Sequence, residues 1–230
     1  MKKVISMLLA FILLCVAVTA LAAGKLSTTQ ENFWVISSYW TYAYAYAKIE
    51  NVGNKPISVN AGVLEIYDEN SDVITSSDYI RTYAKTLQPG EYTYVSVSKE
   101  IEIAEDVGKP DDYMLTITGK TDDSSSTLRL PVETRLSFGE SNGWWTEDYM
   151  YATVTNNTDD VVYNISTVFA LLDDEGQILY IDEDSLYSSH GLTPGSSIVI
   201  KQEIPSSFMD YFTAKGINPT VLDVIAYVDR

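Results

Sequence analysis

From Tyr39 to Asn51 the chain alternates between small and aromatic residues. Ala43, Ala45, Ala47 and Ile49 fall on one side of an extended backbone, and Trp40, Tyr42, Tyr44 and Tyr46 fall on the other. A period of two predicts a strand. The pattern returns later, with Met150, Ala152 and Val154 set against Trp145, Tyr149 and Tyr151. Each strand runs into a polar turn, Asn51-Val52-Gly53-Asn54-Lys55-Pro56 or Asn156-Asn157-Thr158-Asp159-Asp160, and then into a second apolar strand. That strand stops at an acidic turn, Asp68-Glu69-Asn70-Ser71 or Asp173-Asp174-Glu175-Gly176. Val73-Ile74 and Ile178-Leu179 then read as return arms of hairpins. Pro89-Gly90 and Pro194-Gly195 suit the central positions of type II turns, where proline presets φ and glycine accepts a positive φ. Further strands are predicted over Tyr92 to Val97, Ile198 to Gln202, Met114 to Thr118 and Val221 to Val228. One helix is predicted, capped by Ser206, carrying Phe208, Tyr211 and Phe212 on one face and stopped by Gly216. A counterpart falls around Glu102 to Val107.

These landmarks recur in one register. Trp40 matches Trp145, Tyr44 matches Tyr149, Tyr46 matches Tyr151 and Ala47 matches Ala152, each at 145 − 40 = 105 residues. Asn51 and Asn156, Asp68 and Asp173, and Leu87-Gln88-Pro89-Gly90 and Leu192-Thr193-Pro194-Gly195 keep the same offset without a gap. Such self-similarity predicts a duplicated unit. The expected architecture is all-β, with two tandem immunoglobulin-like β-sandwich domains over residues 25–127 and 128–230. Leu128-Arg129-Leu130 has no equivalent after the second copy. Either it opens the second domain, or the second sandwich has an unpaired edge.

The start of the chain has a different character. Lys2 and Lys3 precede an apolar run from Val4 to Val18 and small residues ending in Ala20-Leu21-Ala22, the layout of a secretory signal peptide over residues 1–22. Cleavage is expected after Ala22 or Ala23, with a retained anchor as the alternative; the run is shorter than the ~20 residues a spanning helix needs. Cys15, the one cysteine, lies inside this run after Leu14 rather than a small residue, so the mature chain would be held by its core without disulfides. The chain carries 15 basic and 32 acidic residues, a net charge of −17, which becomes −19 once Lys2 and Lys3 are removed. Phosphate-rich partners attract clustered Lys and Arg, so neither nucleic acid nor an anionic membrane is an expected partner.

Phe169-Ala170-Leu171-Leu172-Asp173 resembles the F-x-L-Y-D signature of the bacterial FxLYD domain, and Leu64-Glu65-Ile66-Tyr67-Asp68 is the same motif in the first copy. Leu64 and Ile66 in the first copy and Leu172 in the second depart from the signature by apolar swaps. The Asn two residues after an apolar strand position and the Leu-x-Pro-Gly turn also resemble that family. The resemblance implies an immunoglobulin-like extracytoplasmic module of bacterial surface proteins. It implies no catalytic residues.

Candidate chemistry is sparse. His190, the single histidine, sits in the loop Ser188-Ser189-His190-Gly191 without a G-x-S-x-G elbow, so no catalytic assignment is made. Zinc lacks ligands, and no cofactor is implied. The acidic runs Asp68 to Asp72, Asp173 to Glu175 and Asp182 to Asp184 offer oxygens that Ca²⁺ prefers. None has EF-hand spacing, and hairpin tips favour Asp and Asn for turn formation. The sequons at Asn156 and Asn164 would matter only in a eukaryotic secretory pathway. The aromatic strands remain as ligand-binding candidates: Trp40, Tyr42, Tyr44 and Tyr46, with Trp145, Tyr149 and Tyr151 in the second copy. Either the rings face outward, where they would stack on a protein or glycan at the cell envelope, or they serve cross-strand packing or form the core themselves. A non-catalytic binding module and a structural spacer are the two functions this leaves.

Overall fold

A computed structural model of the chain describes residues 23–229, apart from 38, 103–108, 123–125, 142 and 188–189. The signal segment and the helical counterpart expected within 102–107 lie wholly or largely outside the described residues. The fold is all-β, with antiparallel sheets packed face to face and one helix.

In the first half, one sheet is ordered β1 (Leu26–Ser37), β2 (Thr41–Asn51), β7 (Tyr92–Glu100) and β5 (Arg81–Thr82). The other joins β3 (Ile57–Tyr67) to β4 (Val73–Ser77) and β6 (Thr86–Leu87) on one side and to β8 (Asp112–Thr121) on the other. In the second half, β10 (Val132–Ser141), β11 (Thr146–Thr155) and β14 (Ser197–Ile204) form one sheet. The other sheet is ordered β13 (Ile178–Leu186), β12 (Ile165–Leu172), β15 (Val221–Asp229) and β9 (Thr127–Leu130). Leu128-Arg129-Leu130 therefore belongs to the second half's sheet, with Leu130 opposite Ala226 and Leu128 opposite Val228.

At the turns, positions 105 residues apart make corresponding hydrogen bonds. Asn51 is wholly buried and its Nδ2 donates to the carbonyls of Lys55 (2.8 Å) and Leu87 (3.0 Å). Asn156, also buried, donates to Asp160 (2.8 Å) and Leu192 (2.7 Å), the residues 105 positions on. Each Asn side chain thus adds a donor to two carbonyls, and it ties the end of one strand to the turn that follows and to a segment 36 residues on. Burial of Asn156 also removes its sequon from the surface. Gly90 and Gly195 take φ of 80° and 73°, as the Pro-Gly turns require, and their N–H groups bond to the carbonyls of Asn51 and Asn156. The pairing of β2 with β7 repeats in β11 with β14, Tyr44 lying opposite Ser98 as Tyr149 lies opposite Glu203.

The helix α1 (Ser206–Lys215) corrects one detail. Ser206 is its first helical residue and does not cap it; Pro205 holds the N-cap position, with no side-chain bond to the open N–H groups. Proline's fixed φ supplies the entry geometry that Ser206 was expected to provide. Gly216 ends the helix with φ of 68° and bonds back to Phe212 and Thr213.

Both faces of β2 take part in packing. Ala43, Ala45, Ala47 and Ile49 pack inside the first half, while Tyr46, only 2% exposed, joins a cluster that also holds Tyr94, Val168, Ala170 and Ile225. The same core runs from one half into the other. Val168 is wholly buried there, whereas Val63, its counterpart in the first half, is 40% exposed.

Candidate functional site

The sequence-predicted aromatic residues divide into three groups. Trp40 and Trp145 stay exposed at the entries to β2 and β11, at 57% and 65%. Tyr39 packs edge-on against Trp40 with ring centroids 5.1 Å apart. Tyr42, Tyr44 and Tyr46 form a continuous row, with centroids 6.1 and 6.3 Å apart, but it is not an open ladder. Tyr44 is half-buried against Phe208 of α1 (4.8 Å) and Tyr46 is enclosed, so only the Trp40–Tyr42 end reaches solvent. The physical reason is the junction between the halves: bulky phenols on the outer face of β2 and β7 provide the apolar area that α1, β12 and β15 cover.

In the second half, Tyr149 and Tyr151 remain at the surface, beneath cations. Lys201 Nζ sits 3.2 Å from the Tyr149 ring centroid, and the Arg135 guanidinium lies 4.0 Å from that of Tyr151. Glu140 accepts from Tyr151 (2.6 Å) and pairs with Arg135 (3.4 Å), and Glu147 accepts from Tyr149. The face is a polar, internally paired surface. Trp145 does not line it up into a strip, because it precedes the strand.

The junction assembles a site that sequence reasoning missed. Where β2, β5 and β7 meet β13, a cleft of about 320 Å³ is lined by Tyr44, Tyr46, Tyr79, Arg81, Tyr83 and Tyr180, with Ser96 and Ser98 on its floor strand. Tyr83 bonds to Ser96 Oγ (2.8 Å), and burial pushes its phenol up to about 12. Arg81 stands half-exposed at the rim, 5.3 Å from the Tyr83 ring, and pairs with Glu183 (3.3 Å) and Asp182 (3.7 Å) of β13. Asp182 also accepts from Tyr180 (2.8 Å) and Gln202 (2.7 Å), while Glu183 accepts from Tyr227 (2.9 Å). The guanidinium is thereby held by two carboxylates of β13 while it lines the cleft. No spacing in the sequence pairs Arg81 with β13; the only signal was the unusual density of tyrosine around it.

The acidic runs are differently employed. The Asp68 carboxylate accepts from the N–H groups of Asn70 (2.8 Å) and Asp72 (2.9 Å), which hold its pKa below the usual carboxylate range, with the Asp72 bond the larger cause. Asp173 caps its own turn in the same way, accepting from Glu175 (3.0 Å) and Gln177 (2.8 Å). Asp182 to Asp184 is not a turn: it lies within β13, and two of its carboxylates serve the junction. Among the described residues no three His, Cys, Asp or Glu side chains are grouped as a metal site. His190 is exposed in its loop. Among the described residues no helix is long and apolar enough to cross a membrane.

Comparison with known proteins adds little. No protein-family profile matches the chain, and no curated protein matches it. Among solved structures, "Structure of infectious bursal disease virus Gt strain" aligns at 10% identity with a TM-score of 0.18, over 90% of this chain and 66% of that one. A likeness that slight carries no structural argument.

Proposed function

We propose that this chain is a secreted, non-catalytic binding protein of the bacterial envelope, built from two FxLYD-like, immunoglobulin-like domains, and that it recognises a glycan. The observation that carries the reading is the cleft beside β2. It is walled by tyrosine rings and holds one guanidinium and two serines, and Tyr44 in its wall is followed along the aromatic row by Tyr42, ring centroids 6.1 Å apart. Flat rings suit the C–H faces of a pyranose, and hydroxyl and guanidinium groups suit its hydroxyl edge. The volume is that of a small-ligand pocket. A glycan array and a peptidoglycan pull-down with the purified protein test it. Arg81→Ala and Tyr79→Ala are expected to weaken retention about tenfold or more, the scale of losing one anchoring side chain. Trp145→Ala, remote along the sequence, is expected to leave retention unchanged.

A second reading has its own support. Tyr46, Tyr92 and Tyr94 are occupied in holding the halves together, which is what a structural or spacer protein requires. Retention that is absent, or that survives both cleft substitutions, decides for the spacer.

A further inference from the structure

The two halves differ at one sheet edge. In the second half, β15 is paired on both sides, by β12 and by β9. In the first half β8 holds the corresponding place and pairs with β3 from Asp112 to Thr121, but among the described residues it pairs with no strand on its other side. Of the residues 105 positions before β9, the described ones, Ala23 to Lys25, do not fill the gap. The carbonyls of Lys25 and Ala23 accept instead from the N–H groups of Val52 and Asn54.

What remains is a ten-residue edge, about 33 Å long at the usual strand rise. The backbone devices that commonly block strand pairing are missing from it. It contains no proline, and the bulge in its pairing with β3 is taken up between Val59 and Ala61, so β8 itself runs unbroken. Tyr113, Leu115 and Ile117 pack inward, while Asp112, Met114, Thr116, Thr118 and Lys120 share the exposed face. Met114 (47% exposed) and its neighbour Val63 (40%) add apolar surface next to the edge.

The edge complements itself. If two copies of β8 run antiparallel about a two-fold axis through Thr116, Asp112 of each faces Lys120 of the other, Met114 faces Thr118, and Thr116 faces Thr116. Asp112 and Lys120 are the two charged residues of the strand, so its net charge is zero in a chain of −17. The strand itself therefore adds no net like-charge repulsion to the approach of two copies. A parallel arrangement in register would instead set Asp against Asp and Lys against Lys.

We propose that β8 pairs with β8 of a second copy in this register, an isologous strand addition that joins two β4-β3-β8 sheets into one continuous sheet. Sedimentation velocity across a concentration series, on the protein with and without residues 1–22, reads the assembly state. The expected result is a concentration-dependent dimer. Asp112→Lys or Lys120→Asp alone places like charges opposite each other twice per dimer and weakens dimerisation about tenfold. The combined Asp112→Lys/Lys120→Asp exchange restores it, because opposite charges face each other again. Circular dichroism checks that each variant folds. A monomer at every concentration in both forms overturns the proposal, as does a dimer that the single exchanges leave unweakened or that the combined exchange leaves weakened.

Discussion

Tyr94 of β7 donates its phenol hydrogen to Asp223 of β15 at 2.6 Å, across the boundary between the two halves. The same carboxylate accepts from Tyr92 (3.0 Å) and pairs with Lys48 (3.2 Å), whose ammonium lies 3.8 Å from the Tyr92 ring centroid. Lys48, Tyr92 and Tyr94 come from the first half and Asp223 from the second. One carboxylate therefore organises three side chains whose polar atoms would otherwise be poorly solvated at a largely apolar boundary.

Asp223→Ala is expected to destabilise the protein by about 2 kcal/mol, the scale of losing hydrogen bonds to a charged acceptor while buried donors stay behind. Asp223→Asn, which keeps an acceptor oxygen but loses the charge, should cost less. Urea denaturation of both variants measures the difference, and equal stability of Asp223→Ala and the parent protein would refute the role assigned to this carboxylate.

Asn51→Ala and Asn156→Ala should each cost about 2–3 kcal/mol, because each removes a buried side chain whose Nδ2 holds two carbonyls and whose Oδ1 holds a backbone N–H of the turn. The two sites use equivalent partners in separate turns, so their effects should match in size and add in the double variant. Unequal costs in equilibrium unfolding would mean that the two turns are not energetically equivalent.

Phe212 is wholly buried and sits between Trp34 of β1 (6.1 Å) and Phe208 (6.0 Å). Phe212→Ala should lower stability by about 3–5 kcal/mol, the range for truncating a core aromatic. Thermal unfolding followed by circular dichroism tests this, and a loss below about 1 kcal/mol would show that α1 is not anchored through this ring.

Alkali should open the molecule. Burial raises the phenol pKa of Tyr46, Tyr83, Tyr92, Tyr94, Tyr180 and Tyr227 above the ordinary value of 10, with nearby carboxylates adding to the effect at Asp223, Asp182 and Glu183. The folded state holds these protons more tightly than the unfolded state does, so their contribution is fully present below pH 10. It is lost as the pH rises through 10 towards about 12, the value reached by Tyr83, and beyond. Tyrosinate absorbance and denaturant midpoints recorded over that range should change together; ionisation of all tyrosines at pH 10 without loss of structure would contradict it.

Much of this architecture was legible because short-range chemistry dictates it. The Asn51 and Asn156 staples, the carboxylates of Asp68 and Asp173 folded onto their own turns, and the glycines at 90 and 195 all read as repeated turn signals. The fate of Tyr44 and Tyr46 was not legible. A tyrosine row opposite an alanine row looks the same whether water or another sheet covers it, since the ring is apolar and its hydroxyl is polar. Arg81 escaped notice for a related reason: its carboxylate partners lie about a hundred residues away, on a strand whose Asp182-Glu183-Asp184 run resembled a turn. At β10 the repeat loosens. Tyr44 lies opposite Trp34, but Tyr149 lies opposite Ser137 rather than Gly139, the residue 105 positions after Trp34; the register shift falls between Thr28 and Gln30 in β1 and between Ser137 and Glu140 in β10.

The placement of Asp223 also sets an order of events. The tyrosine face of β2 and β7 is complete as soon as Glu100 has been made, yet its carboxylate partner arrives only with β15. A growing chain therefore carries Tyr46, Tyr92 and Tyr94 uncovered through the synthesis of the whole second half, and closing the boundary depends on contacts far apart in sequence, which form slowly. In refolding followed by stopped-flow tyrosine fluorescence, Asp223→Ala should slow or remove a late phase while sparing the early one. A strand made long after β2 and β7 would then act as the latch on surfaces that formed first.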